Sequence, residues 1–513
     1  MPNLPPTIHR LFHKLKTKRR IKRRVLKVLF VLLICVAVFS YFTNPFVRFS
    51  LIVDPFHAVD YKDGQFVLED DASTFVKHDA FFKQLALIKT GWHILNSRYV
   101  GGPKAKSGSV EEIIKAIHQL RFNPAQPFLI SGDHFSMLYP RSLGIFYHSL
   151  MDPRTALDEQ DWKDRQLLYL KTEAYALQVY ENSDRLSTTI VPVAPRSVVL
   201  LNFYATPSDT LYSLLYGLKM IEDETTIERL YPYPSNVEAS FALQTNNQAA
   251  QLLAQHKTSL IRQFQNYVAE VYNPQTGLIR RDITLSGTKD VTHRESAFYD
   301  NVIFWRTQQL AQELGLIQKD ELFLTELKKK IIRAFWDDTT GVFLEDLSTV
   351  SQQQHAYSSD WLIVQMTGFL DPAIPEERYY FVRSVEYIQR NEIDQPFGLR
   401  YQADLRKSEV VGLVRLVAPT YGTTAIWSNW GQEYIKLLVR LGQTTGDQKY
   451  LDQAKNQLDA YTFNIKRYRG YPEVYDSTGD FFRTAVYKSV RQTGWVVSYE
   501  QAKAMYDVAI KRE

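Results

Sequence analysis

Cysteine is almost missing from this 513-residue chain: there is one, Cys35. No intrachain disulfide can form, and a small disulfide-stapled or metal-stapled scaffold is excluded on length as well. No Asn-x-Ser/Thr sequon occurs anywhere. Both absences suit a bacterial extracytoplasmic domain better than a eukaryotic secretory one. Walker A, a dinucleotide-binding glycine fingerprint, His-Glu-x-x-His and Gly-x-Ser-x-Gly are also lacking. The Gly101–Gly108 stretch has the wrong order for a phosphate loop and reads as an exposed link. The 11 histidines form no spaced ligand set, so neither a metal nor another cofactor is expected. Asp337-Asp338 reads as turn chemistry.

Acid is absent from the first 53 residues, which hold eleven of the 61 Lys and Arg; the remaining 50 face 56 Asp and Glu. The net charge of +5 is therefore a basic terminus joined to an acidic body, and nucleic acid is not an expected partner. The cluster Lys18–Arg24 precedes an 18-residue apolar run, Val25–Phe42, whose one charge, Lys27, can snorkel to the headgroups. Positive-inside topology then gives a cytoplasmic basic tail (1–24), a single-pass signal-anchor helix in the lipid bilayer (25–42) and a connector (43–60). The main domain, 61–513, would lie outside the cell membrane. No small-x-small cleavage site follows the apolar run, which favours an uncleaved anchor over a signal peptide.

Beyond the connector the chain reads as a succession of amphipathic helices. Ser109-Val-Glu-Glu112 is a capping box ahead of Ile113, Ile114 and Ile117. A second pattern runs from Ser208 through Leu211, Leu214, Leu215, Leu218 and Ile221. Others cover about 161–181, 294–315, 319–336, 358–370, 375–391, 421–442, 447–463 and 491–511. Strand-like pieces are short, as at Gln65–Leu68 and Thr188–Val193. The links repeat: Tyr272–Gly277, Trp336–Gly341 and Tyr475–Gly479 each join an aromatic, a turn former and Thr-Gly to an extended stretch, and Gln395–Gly398 is a looser copy. Their glycines lie 64, 57 and 81 residues apart. That spacing holds two helices plus loops and is long for a solenoid repeat, so it predicts a closed ring of helical hairpins.

Acids among aromatics cluster in three places. The first holds Asp133, Tyr139 and Arg141; the second holds Arg294, Glu295 and Asp300. The third joins Trp427, Asn429 and Trp430 to Glu473, Tyr475, Gln492 and Trp495. Aromatic faces stack on sugar CH surfaces, and an apolar setting raises one carboxyl pKa so that it can act as an acid. A second carboxylate, kept ionised, would activate water or attack the anomeric carbon. Plain structural readings stand beside these. Asp133 and Arg141 suit sugar-hydroxyl binding or loop bracing; each Trp alone suits a core position. Asp360 and Trp361 read as a helix start lining the ring, with substrate contact as the second reading. Asp209 fits the first turn of its helix, where a negative charge meets the helix dipole favourably.

The motif Glu473-Val-Tyr475-Asp476, followed after fifteen residues by Gln492-Thr-Gly494-Trp495, resembles the C-terminal signature of trehalases. Glu295-Ser296-Ala-Phe-Tyr-Asp300-Asn301 is similar to the Glu-Ser-x-x-Asp segment of trehalases and processing α-glucosidases, with one extra residue before the Asp. The Gly422…Trp427…Trp430 helix start is similar to their Trp-rich segment. Tyr139-Pro140-Arg141-Ser142 departs from the family by lacking an Asp after the Arg. The resemblance, to the six-hairpin glycosidase superfamily including the glucosidase part of glycogen debranching enzymes, spans about 130–500 in matching order. It implies an all-α (α/α)6 toroid behind the anchor helix, a carbohydrate substrate, and Glu473 as catalytic base with Asp300 or Glu295 as acid. The expected function is a membrane-anchored O-glycosyl hydrolase, inverting, acting on an oligo- or polysaccharide. The alternative is a non-catalytic glycan-binding or envelope-assembly protein of the same fold.

Overall fold

The computed structural model describes residues 27–34, 53–62, 65–68, 96–132, 137–145, 148–181, 183–194, 197–202, 206–222, 246–289, 292–406, 410 and 412–511. The chain divides into two compact units, Met1–Ile52 and Val53–Glu513. In the first, residues 27–34 are helical; the rest of the expected span 25–42 lies outside the described residues. Among the described residues no helix is long and apolar enough to cross a membrane.

The second unit is mostly helical. Its main helices, in chain order, are α1 (Val110–Arg121), α2 (Arg141–Ile145), α3 (Glu159–Tyr180), α4 (Thr210–Glu222), α5 (Asn246–Val271) and α6 (Phe298–Glu313). They continue as α7 (Glu321–Phe335), α8 (Ile363–Met366), α9 (Pro375–Arg390), α10 (Ser428–Thr445), α11 (Gln448–Tyr468) and α12 (Val496–Ile510). A 3-10 turn, Ser359–Leu362, leads into α8, and another, His148–Met151, follows α2. Contacts between the even-numbered helices close a circle. α2 packs on α4, α4 on α6, α6 on α8 and its 3-10 turn, that turn on α10, α10 on α12, and α12 on the 3-10 turn after α2. Odd-numbered helices clothe it: α3 and α5 on α4, α7 on α6, α11 on α10 and α12. This is the alternation of inner and outer helices that an (α/α)6 toroid requires.

Burial follows the same division. Ser428–Gly442 of α10 are buried on every side, as are nearly all residues of α6. On α11 only a stripe is buried, with Tyr450, Leu451, Ala454, Leu458, Tyr461 and Ile465 recurring at three- and four-residue steps. The expected capping box on α1 is formed, Ser109 Oγ accepting from the Glu112 amide and Glu112 accepting from the Ser109 amide. α5 was not among the expected helices, although Leu260, Phe264, Tyr267 and Val271 give it a buried stripe. Its first three turns, rich in Gln and Asn, dilute that period. α10 starts seven residues later than expected because Tyr421–Trp427 instead forms a turn and the short strand Ile426–Trp427.

An all-α reading is too simple. Strands β1 (Val53–Lys62), β2 (Gln65–Leu68), β3 (Thr189–Ala194) and β4 (Ser197–Leu201) form an antiparallel sheet in the order β2-β1-β4-β3. Register is set by Tyr61↔Phe66, Ala58↔Val199 and Ile190↔Leu200. Residues 53–60, read from sequence as connector, are thus paired backbone. Two of the repeated links are tight turns directly after outer helices. Tyr272–Asn273 pairs with Leu278–Ile279 and Trp336–Asp337 with Val342–Phe343, while Gly277 and Gly341 take φ of 71° and 80°. Asp337 accepts from the Thr339 amide at 3.1 Å and the Thr340 hydroxyl at 2.5 Å, as turn chemistry demands.

The ring is closed by polar ties. His118 of α1 meets Glu500 of α12 at 2.7 Å, and Arg121 Nε donates to the Gln492 carbonyl at 2.7 Å. Deep inside, Lys436 donates to Glu433 at 2.7 Å, Ser149 to Gln501 at 2.7 Å, Gln501 to Asp152 at 2.9 Å, and Gln365 to the Glu433 carbonyl at 2.6 Å. Burial alone would raise the Glu433 carboxyl; Lys436 and His148 beside it hold it at about 2. The inner wall is tight where α2 crosses α4: a Cβ on Gly144 would lie 2.8 Å from the Ser213 Cα. Gly144→Ala is expected to destabilise the protein by about 1–3 kcal/mol through overpacking, read as a lower urea midpoint with unchanged m-value.

Candidate active site

Alternation of outer and inner helices brings the N-termini of the inner helices to one end of the ring, and the candidate residues sit there. Arg141 opens α2, Asp209 precedes α4, Asp300 lies in the first turn of α6, and Asp360 in the 3-10 turn before α8. Asn429 and Trp430 open α10, and Trp495 precedes α12. A helix N-terminus favours negative charge, which helps hold three buried carboxylates in one place.

These starts are tied to one another. Arg141 Nε lies 3.3 Å from Asp209 Oδ1, and the Tyr299 hydroxyl donates to Asp209 Oδ2 at 3.0 Å. Arg294 Nη1 donates to Asp360 Oδ2 at 2.7 Å, with both side chains buried. Tyr299 meets Trp430 edge-on at 6.5 Å between ring centres. Trp427 stacks between Tyr401, at 5.5 Å, and Trp495, at 6.0 Å. The Gly494 amide donates to the Ser131 carbonyl at 3.2 Å, and Ser131 Oγ lies 2.9 Å from Ser142 Oγ, which returns the circuit to α2.

Asp300 is 3% exposed, and its Oδ1 has no hydrogen-bond partner among the described residues. Burial pushes its carboxyl up to about 6, against the pull of Arg294 and a hydrogen bond from Ser208, while the nearby Asp209 and Asp360 push the same way as burial. Asp209 is raised too, by burial, with Arg141 opposing. Glu295, five residues before Asp300, is in a different setting: half exposed and paired with Arg281 at 2.9 Å. Between them Ser296 adopts φ of 49°, a left-handed kink fixed by its hydroxyl donating to the Ile279 carbonyl at 2.7 Å. That kink turns Glu295 outward as the chain enters α6.

Glu473 is 7% exposed. Its backbone donates to the Val490 carbonyl and accepts from the Ser428 amide, and the next two residues pair with Ile426 and Trp427. Glu473 is thereby fixed beside the α10 start, on the Trp427–Trp495 side of the circuit. Asn429 is fully buried with neither amide atom bonded among the described residues.

Other expected residues have core partners. Trp361 packs between Phe343 and Phe381, and Tyr475 among Phe397, Tyr461 and Tyr468. Gln492 offers its carbonyl to Arg121 in the closing seam. The Tyr139 hydroxyl meets Met137 Sδ at 3.6 Å. Asp133 lies outside the described residues. Arg141 also donates to the carbonyls of Gly287, at 2.5 Å, and Ser286, at 3.3 Å, so it braces that loop.

Sequence reading passed over several participants. Asp209, taken as a simple helix-start acid, is instead the common partner of Arg141 and Tyr299. Glu345 is buried against Lys289, Arg406 and Gln402; burial alone would raise it, but those two cations hold its carboxyl at about 2. Lys289 in turn sits 5.1 Å from the Tyr401 ring centre. These pairs are separated by about 60 to 110 residues, so no local pattern could have joined them. Among the described residues no three His, Cys, Asp or Glu side chains are grouped to hold a metal ion.

The raised Asp300 carboxyl has a stability consequence. Native protein binds more protons there than unfolded chain between pH 3.8 and about 6. Stability therefore falls as pH rises through that window, by on the order of 2–3 kcal/mol. Asp300→Asn is expected to flatten that part of the profile, measured as urea midpoints against pH.

No family model matches the chain, and no curated protein matches it. Solved structures do. A rhamnosidase from Klebsiella oxytoca with rhamnose bound is 14% identical, with 79% of this chain and 66% of that chain covered, at a TM-score of 0.46. The neutral trehalase of Saccharomyces cerevisiae is 12% identical, with 75% and 73% covered, at 0.44. A cellobiose 2-epimerase from Spirochaeta thermophila is 9% identical, with 85% and 99% covered, at 0.48. These proteins are members of the six-hairpin glycosidase superfamily, which the motifs at 295–300 and 473–476 resemble.

Proposed function

We propose that the protein is an inverting glycoside hydrolase, with Asp300 as general acid and Glu473 as general base. The observation that carries this reading is the setting of Asp300: a buried carboxyl at a helix start, raised to about 6, with one oxygen unbonded among the described residues. Such a group keeps its proton up to about pH 6, well above an ordinary carboxyl, and can deliver it to a leaving glycosidic oxygen. Asp209 and Asp360, each tied to a cation or hydroxyl, add negative charge around it and oppose its ionisation. Glu473 would deprotonate the attacking water from the Trp427 side, which requires carboxyl groups about 6.5–9.5 Å apart. The buried, stacked Trp427 and Trp495 give the Glu473 side of the site an apolar setting. Glu295, half exposed and salt-bridged, lacks the burial that makes Asp300 an acid.

The proposal extends to location. The apolar run 25–42 would anchor the chain once in the cell membrane of a bacterium, with the tail 1–24 in the cytoplasm and the helical ring outside. Supporting it are the run's composition and the basic cluster before it.

Full-length protein in detergent tests the chemistry. Release of sugar from oligo- or polysaccharide should show the inverted anomer by NMR, and kcat/KM should fall as pH rises through about 6, where Asp300 loses its proton. Asp300→Asn should lower turnover roughly 10²–10⁴-fold. An aryl glycoside with an acidic leaving group should restore that variant, since it needs no proton, but should not restore Glu473→Gln. Glycan binding with no turnover in wild type would instead mark a non-hydrolytic glycan-binding protein.

A further inference from the structure

Two neighbouring polar cavities lie around Arg281 and Asp282. One cavity of about 360 Å³ is lined by Arg281, Asp282, His293, Arg294, Glu295 and Asp346 among others. A second, of about 550 Å³, runs along the Tyr272–Ile279 hairpin and shares Arg281 and Asp282 with the first. Each lies within the range of small-molecule sites, about 300–1,000 Å³, and with Arg281 and Asp282 between them they are treated as the two halves of one trough. Arg294 lines the first cavity, its guanidinium binds Asp360, and the charges of both act on Asp300. One residue therefore belongs to both the trough and the proposed active site.

The formal charges lining the trough balance, with Arg280, Arg281 and Arg294 against Asp282, Glu295 and Asp346. Arg280 holds Asp282 through two bonds of 3.0 and 2.6 Å, Arg281 holds Glu295 at 2.9 Å, and Arg294 holds Asp360. Asp346 accepts from the amides of Glu295 and Ser348, each at 3.0 Å. Each guanidinium already has its carboxylate, so neither a phosphate nor a uronate finds an unpaired cation. The outer two pairs are solvent-exposed, where ion pairs contribute little to stability and exchange partners readily. What they offer is a row of alternating strong donors and acceptors, which is the pattern that vicinal hydroxyls satisfy.

We infer that this trough binds the non-reacting part of an extended, uncharged oligosaccharide, leading it past Arg294 to Asp300. The inference rests on the glycosidase reading for the direction of the chain, but binding can be measured apart from turnover. Asp300→Asn protein, full-length, would be titrated calorimetrically with neutral glucose oligomers in α-1,4, β-1,4 and β-1,3 linkage, from disaccharide to octasaccharide. Affinity should rise with length in one of these series. Arg281→Ala added to the Asp300→Asn background should cut octasaccharide affinity roughly tenfold, the loss of one hydrogen bond to a charged group, with a smaller effect on the disaccharide. Arg281 is half exposed, so its truncation leaves the core intact, and thermal melts of both proteins check this. Length-independent binding, an octasaccharide affinity unmoved by Arg281→Ala, no binding in any series, or tighter binding of oligogalacturonate than of the neutral ladders would each overturn the inference. Tight octasaccharide binding by a wild type that cleaves nothing would sink the hydrolase reading and leave the trough standing.

Discussion

Burying carboxylates together is the constraint on which the rest of the second unit depends. Asp209, Asp300 and Asp360 occupy the starts of three consecutive inner helices, all nearly inaccessible to solvent. An isolated buried carboxylate is costly, and each is compensated differently. Asp209 has Arg141 and the Tyr299 hydroxyl, and Asp360 has Arg294. Asp300 is stabilised chiefly by holding its proton more tightly. The compensating groups come from neighbouring helix starts, so the charge balance and the ring closure are the same set of contacts.

The deeper layer repeats this logic without an evident chemical use. Glu433, Lys436, His148, Ser149, Asp152 and Gln501 form a buried polar core linking the segments around α2, α10 and α12. Such networks do not outcompete apolar packing in stability, yet removing one partner strands a buried charge. They fix how inner helices meet around a circle, where apolar contacts alone would tolerate sliding. The site above inherits that rigidity, which pre-organised electrostatics require.

The left-handed Ser296 divides two settings within a few residues. Before it, Glu295 joins an exposed, ion-paired trough; after it, Asp300 enters the buried site. Non-glycine residues take such a conformation at a cost of order 1–3 kcal/mol, here offset by hydrogen bonds from Ser296 to Ile279 and from Asn301 to Ser296. An extended substrate that contacts both sides of this kink would couple remote binding to the reacting centre.

Local pattern alone carried much of the helical order. The capping box at Ser109, the apolar stripes of the outer helices and the aromatic-turn-Thr-Gly links are short-range features, and they depend on periods and turn geometries that neighbouring residues enforce. The strand pieces at 65–68 and 188–193 were legible for the same reason, though their joining into one sheet was not. Motif order pointed to Asp300 and Glu473 before any geometry was known. Tertiary structure decided what those motifs could not: that Asp300 is buried while Glu295 is exposed, that Asp209 partners Arg141 and Tyr299, and that Trp361 and Tyr475 pack in the aromatic core. Each is a matter of desolvation and of charges meeting across 60 or more residues of chain, and a linear pattern carries no record of either.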